Sequence, residues 1–262
     1  MTITVEHLAN GVSLVTLSAE TSRNGLNMES MKSMSDIMNS LLDDKSIKSI
    51  VMTGTGKFFC SGADIDSFAS AIDDGSIADL VGGLTSLLHP MELKIRASEK
   101  IFVAAINGSA AGGGLGLALC ADYRVCIPEA KLAAAFFSLG LSPDGGSTWL
   151  LPRLVGTQRA KKFFFENQVW DGNKALEYGV VDELVESDEL IQSAIKVAEK
   201  WGSWAESSRK YTKQLIDAST STFMETQLEF EKLLITNSSL TPDFVEGVSS
   251  FLDKRKPNFG EE

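Results

Sequence analysis

Positive charge is in short supply in this chain: 24 Lys and Arg stand against 35 Asp and Glu, a net charge of −11. That deficit argues against a nucleic-acid backbone as the main partner, because such a partner needs a cationic face. Any polyanionic ligand would have to find a local basic patch. Cysteine is scarce as well. Cys60, Cys120 and Cys126 are odd in number, lie in apolar surroundings and form no CxxC pair, which fits reduced thiols better than a disulfide framework. There are two histidines; His7 falls in an N-terminal hairpin pattern and His89 precedes Pro90, and both read as structural. No metal-ligand set is expected. No run approaches about 18 uninterrupted apolar residues, so no membrane span is expected. Met1–Glu6 carries neither a basic segment nor a long apolar run, so no secretory leader is expected, and the expected compartment is the cytoplasm.

Two phosphate-binding fingerprints are missing too. Gly114-Leu115-Gly116-Leu117-Ala118-Leu119 ends in Leu where the dinucleotide motif needs Gly or Ala, and it lies mid-chain with no acidic ribose contact evident downstream. Gly54-Thr55-Gly56-Lys57 runs into Phe58, which breaks a P-loop.

What is present is enough chain, 262 residues, to bury a large core as one α/β domain with a helical appendage. Ile3–His7 and Val12–Ser18 alternate around Asn10-Gly11, a hairpin signal. Asn27 caps a stripe of Met28, Met31, Met34, Ile37, Met38, Leu41 and Leu42 at helical spacing, which reads as core. Ile50–Met52 is a short strand. Asp64 can open a helix through Ile65, Phe68 and Ile72. Residues 73–83, acidic and glycine-bearing, read as a mobile loop before a helix over Leu84–Ser98. Tyr123–Cys126, Lys131–Ala135 and Val180–Val185 read as strands, Asp144–Leu154 and Gln158–Glu166 as helices, and everything after Leu190 as helical. Strands yielding repeatedly to helices define the class as α/β.

The densest information lies between Ser98 and Thr148. Ile101–Ile106 has the length and residue types of a buried strand. Asn107-Gly108-Ser109-Ala110-Ala111-Gly112-Gly113-Gly114 then frees the backbone to turn sharply and to approach another molecule closely, and Leu115–Cys120 reads as the start of a buried helix. Amides at such a helix start lack intrahelical acceptors and suit a phosphate or a developing oxyanion. The same cluster also fits a turn needed only for packing.

These residues resemble a known family. Ser61-Gly62-Ala63-Asp64-Ile65, Ala105-Ile106-Asn107-Gly108, Gly112-Gly113-Gly114, Cys120-Ala121-Asp122, Pro143-Asp144-Gly145, Leu151-Pro152-Arg153 and Ala175–Asp182 occur in the order found in the enoyl-CoA hydratase/isomerase (crotonase) superfamily. Asp243-Phe244, Glu246-Gly247 and Phe251–Arg255 extend the match nearly to the end. The resemblance implies a crotonase-like spiral of ββα units over 1–190, holding the acyl-CoA and the active site. It also implies a helical C-terminal region over 191–262 that builds trimers, often paired into hexamers, and covers the CoA. Coenzyme A would enter as part of the substrate, with no separate cofactor.

By position, the resemblance makes the backbone amides of Ala63 and Gly113 the clasp for a thioester oxygen. Arg23, Gly25, Leu26, Ser61, Asp64, Ile65 and Gly112 fall in CoA-binding stretches, and Phe251 with Lys254 matches an aromatic/basic pair that often reaches a neighbouring subunit's CoA. Family members that hydrate a double bond carry two glutamates, at positions occupied here by Gly116 and Phe136; neither can move a proton. Isomerase branches place their carboxylate in a segment matching Ser142-Pro143-Asp144-Gly145, which makes Asp144 the candidate acid/base. Local chemistry alone would read Asp144 as a turn or cap residue. Phe136, Phe137, Leu139 and Trp149, near in sequence, are expected to dry the pocket around it. No second group able to hold water is visible. The implied activity is an acyl-CoA isomerase moving a C=C bond from Δ3 to Δ2. A ring-opening 1,2-epoxyphenylacetyl-CoA isomerase, a hydratase or thioester hydrolase, a dehalogenase (disfavoured by Phe136 where that branch has Trp), and a non-catalytic binding protein remain as alternatives.

Overall fold

The computed structural model describes residues 1–19 and 23–260. In chain order the strands and helices are β1 (Thr2–His7), β2 (Val12–Ser18), α1 (Met28–Asp43), β3 (Ser49–Gly54), β4 (Phe58–Cys60), α2 (Ile65–Asp73), α3 (Ile77–Ala97), β5 (Ile101–Ile106), β6 (Ser109–Ala111), α4 (Gly113–Leu119), β7 (Tyr123–Cys126) and β8 (Lys131–Ala133). They continue as α5 (Ser147–Val155), α6 (Thr157–Phe165), β9 (Val169–Asp171), α7 (Gly172–Glu177), β10 (Glu183–Leu184), α8 (Leu190–Gly202), α9 (Glu206–Ser219), α10 (Met224–Ser238) and α11 (Pro242–Leu252).

The strands divide between two sheets, ordered β1-β2-β3-β5-β7-β10 and β4-β6-β8-β9. Each turn of the spiral therefore lays one strand in the first sheet, the next in the second, and returns by helix: β3 then β4, β5 then β6, β7 then β8. Pairing is parallel except for the β1–β2 hairpin and β8–β9. Parallel strands covered on both faces should be apolar throughout, and all six residues of β5 are buried. Met31, Met34 and Met38 pack into the same core, and Asn27 caps α1 by accepting from the Ser30 amide.

Three expectations need correction. Residues 73–83 are no loop: after a turn in which the Ser76 amide and hydroxyl donate to the Asp74 carboxylate, α3 starts at Ile77 and runs 21 residues. Glycine there serves contact between helices, since a Cβ on Gly83 would meet the Met28 sulfur at 3.0 Å. The strand expected over Val180–Val185 shrinks to Glu183–Leu184, because Val180 and Val181 are taken up in the turn that leaves α7, their amides donating to the Ala175 carbonyl. And α8, assigned from sequence to the C-terminal region, covers the first sheet: Ala194 and Ala198 are fully buried and the Ser49 hydroxyl donates to the Ala198 carbonyl at 2.8 Å. Among the described residues no helix is long and apolar enough to cross a membrane.

Candidate active site

The site grows from the ends of three adjacent parallel strands of the second sheet. β4 pairs with β6 and β6 with β8, so the segments that leave them, 61–64, 112–113 and 134–146, emerge side by side. Glycine makes the contact possible. A Cβ on Gly62, whose φ is +84°, would stand 2.8 Å from the Ala111 oxygen and 3.0 Å from the Gly113 nitrogen. Gly112 holds φ +55° with ψ −129°, a region open essentially to glycine alone. A Cβ on Gly114 would collide with the Cys60 carbonyl at 2.2 Å. The outcome is that Ala63 and Gly113 present their amides together, and neither N–H has an acceptor among the described residues.

The Ala63 amide is also fixed in direction. The Leu26 amide donates to the Gly62 carbonyl at 2.8 Å and the Asp64 amide donates to the Leu26 carbonyl at 3.0 Å, so the peptide units on both sides of Ala63 are held by one residue.

These groups line a cavity of about 800 Å³. Of the residues expected at the site, Arg23, Leu26, Ser61, Ala63, Asp64, Ile65, Gly112, Gly113, Phe136 and Asp144 border it. Asp64 also caps α2, accepting from the Asp66 amide at 3.2 Å. Phe136 is buried against Gly112, and Leu139 adds an apolar wall. Gly25 is buried beside the cavity without bordering it.

Four residues expected in or around the site are placed elsewhere. Trp149 lies on α5 facing a second cavity of about 610 Å³ between α5 and α9. There the Arg153 guanidinium stacks 3.5 Å from its ring centroid and Arg96 stands 5.5 Å from it. The reason is helical phase: Ser147 and Leu151 turn into the core, which carries Trp149 away from Asp144. Trp149→Leu should therefore leave acyl-CoA affinity within about twofold of the native value by calorimetry, while removing a cation–π contact worth roughly 0.5–2 kcal/mol of stability. Phe251 and Lys254, on and just after α11, are exposed and do not border the cavity. Phe137, expected to dry the pocket, packs edge-on against Phe165 instead.

Asp144 has a partner that sequence reasoning read as structural. His89 Nε2 lies 2.7 Å from Asp144 Oδ1, bridging 55 positions of sequence. His89 belongs to α3, and one turn further on the same helix stands a residue missed altogether, Glu92. It is buried directly behind the Asp144 turn: a Cβ on Gly145 would be 3.5 Å from Glu92 Oε1 and one on Gly146 would be 3.9 Å from Oε2. Burial, with the Asp144 charge adding to it, pushes the Glu92 carboxyl up to about 8. Asp144 thus has two ionisable neighbours that the sequence reading did not place there, although Glu92 does not border the cavity and His89 is engaged with Asp144.

The glycine at 116, where the resemblance implies a glutamate in members that hydrate, also has a structural cause. A Cβ on Gly116 would sit 2.1 Å from the Gly145 carbonyl oxygen; the turn carrying Asp144 occupies the space a side chain at 116 would need.

The sequence profile described as Enoyl-CoA hydratase/isomerase matches residues 7–262. A 1,2-epoxyphenylacetyl-CoA isomerase of Escherichia coli (strain K12) is 30% identical over 99% of this chain and 98% of its own length. A crotonyl-CoA hydratase of Syntrophomonas wolfei is 31% identical over 90% and 89%. Among solved structures, a putative enoyl-CoA hydratase/isomerase from Mycobacterium abscessus superposes with a TM-score of 0.92 at 27% identity, covering 100% of both chains. An enoyl-CoA hydratase from Bacillus anthracis gives 0.91 at 29%, covering 99% of each.

Proposed function

Because the chain belongs to the enoyl-CoA hydratase/isomerase family, we propose that it is an acyl-CoA isomerase which moves a C=C bond from Δ3 to Δ2 through a thioester enolate. The observation that carries this reading is the placement of Asp144 on the same cavity wall system as the two unpartnered amides of Ala63 and Gly113. In the proposed cycle those amides hold the thioester oxygen. The Asp144 carboxylate takes a proton from C2, and the electron pair flows into the carbonyl, placing negative charge on the oxygen they face. A preorganised donor of this kind typically contributes about 10²–10³ in rate. Asp144, now neutral, returns the proton to C4; the C2–C3 double bond forms as the carbonyl is restored, and the site regains its starting charge. His89 holds Oδ1 and leaves Oδ2 for the proton.

Hydration is disfavoured because the two positions that carry its glutamates hold Gly116, packed on Gly145, and Phe136, an apolar wall. Ring opening of an epoxide conjugated to a thioester is the second reading. It is favoured by the similarity to the 1,2-epoxyphenylacetyl-CoA isomerase over nearly the whole chain and by the His89–Asp144 pair, which offers a proton donor for the epoxide oxygen. Assembly into trimers belongs to the same proposal, supported by the apolar side chains that α11 exposes, Val245, Val248 and Phe251 among them.

The test is incubation with a 3-enoyl-CoA and, separately, with crotonyl-CoA, products being read by mass spectrometry. Conversion to the 2-enoyl thioester with little hydration is expected. Rapid hydration of crotonyl-CoA without isomerisation would overturn the proposal.

A further inference from the structure

One buried ionisable group has no part in the cycle above. Glu92 continues the core stripe of α3, four residues after Leu88 and three before Ile95, and like them is buried. Its tip lies against the backbone of Gly145 and Gly146, the two residues that follow Asp144. Oε1 has no hydrogen-bond partner among the described residues.

A carboxylate in such a place needs a cation, and the neighbouring elements supply none to it. On its own helix, His89 is bonded to Asp144 and Arg96 is paired with Asp217 of α9. Lys213 of α9 is bound to Asp122. Facing it from α4 is the Cys120 thiol, which donates to the Glu92 backbone carbonyl and is itself pushed up by burial. On the α1 side, Asp43 is taken by Lys94, and from α5 Arg153 lies over Trp149. An uncompensated buried carboxylate holds its proton instead of its charge, and the negative charge of Asp144 reinforces that choice.

We propose that Glu92 is a positioning residue for Asp144: a neutral carboxylic acid beneath the Asp144 turn, which leaves Asp144 as the single negative charge there, and whose ionisation raises the proton affinity of Asp144. The inference about turnover rests on the isomerase reading; the coupling between the two carboxyls does not. Once Glu92 is ionised, a second negative charge stands behind the Asp144 carboxylate. Because Asp144 loses its own charge to the proton as the enolate gains one, that second charge makes Asp144 the stronger base and favours proton abstraction. Loss of the Glu92 proton occurs as pH rises, so the effect falls on the alkaline side.

Two measurements test this on the full-length protein. The first follows the protonated-carboxyl C=O stretch by infrared spectroscopy with δ-13C-glutamate labelling, comparing native protein, Glu92→Gln and Asp144→Asn. A glutamic-acid band at pH 7 that vanishes with a midpoint near pH 8, is missing in Glu92→Gln, and vanishes at lower pH in Asp144→Asn is the expected result. Absence of the band, or a midpoint that ignores Asp144→Asn, overturns the proposal, and neither reading depends on turnover. The second is the pH profile of kcat/KM. Native enzyme should gain up to about tenfold through the Glu92 midpoint, whereas Glu92→Gln should keep its neutral-pH rate within a few-fold and lack that rising alkaline limb. An unchanged limb in Glu92→Gln, and in Glu92→Met, which suits the apolar stripe, overturns the positioning role while leaving the isomerase reading intact. If no enoyl-CoA is isomerised at all, that reading fails and the infrared midpoints alone decide whether Glu92 is coupled to Asp144.

Discussion

Asp144→Asn should lower kcat by about 10²–10⁴-fold, the usual contribution of a positioned acid/base group, while acyl-CoA affinity changes little. The amide keeps the shape of the carboxylate and can still meet His89 Nε2, which in the native protein lies 2.7 Å from Oδ1. What it cannot do is take up and return a proton. The split matters as much as the size: if the residue acts only in the chemical step, kcat and kcat/KM fall together and binding measured by calorimetry is unmoved. A protein of this fold that merely binds CoA would show no turnover to lose. Wild-type turnover that survives the substitution would require another base, and the mechanism proposed for Asp144 would be wrong.

The second large effect is expected from a single methyl group. Gly116→Ala places a Cβ 2.1 Å from the Gly145 oxygen, deep inside van der Waals contact, with the Gly145 carbon at 2.7 Å and its Cα at 2.8 Å. All three are backbone atoms, so no side chain can swing aside. The turn that carries Asp144 must move, and overpacking of this kind typically costs about 1–3 kcal/mol. A displacement near 1 Å of a reacting group can by itself cost roughly 10²-fold in rate. Thermal unfolding and kcat on the same preparation would measure both. Gly116→Glu, which restores a carboxyl at the position hydratases use, should fare worse still and gain no hydration, because the space for that carboxyl is filled by residue 145. Retention of native stability and rate in Gly116→Ala would show that the turn is free to relax, and the packing argument against a hydratase would lapse.

How far the sequence leads differs from element to element. The apolar run of β5, the methionine stripe of α1 and the glycine turn at 112–114 carry their physics in local pattern, whereas the spiral and the choice of the Ala63 and Gly113 amides come from the resemblance to the family. Short strands could not: β6 and β9 have three residues each, too few to express a period. Residues 73–83 misled because Gly75, Gly82 and Gly83 read as breakers, whereas Gly82 and Gly83 lie inside α3 and the second lets Met28 close in. Trp149 misleads because nearness in sequence is not nearness in space; two residues of helix suffice to turn a side chain toward another cavity. His89 and Asp144 meet across 55 positions, a proximity that only the folded chain provides. Glu92 is different. Its spacing from Leu88 and Ile95 puts a carboxyl on the buried face of an amphipathic helix, and that misfit between residue type and helical phase was present in the sequence to be found.

The grip of Leu26 on both neighbours of Ala63 carries a consequence for how tolerant this enzyme can be of change far from its chemistry. In the proposed cycle, a donor whose flanking peptide planes are pinned has no slack to take up when the thioester oxygen gains charge, so none of the attraction is spent on reorientation. The pin itself comes from the stretch that also carries Arg23 to the cavity rim. Whatever seizes that rim pulls on the same thread that aims the Ala63 amide, and a thioester stripped of its distant end would find the aim less true.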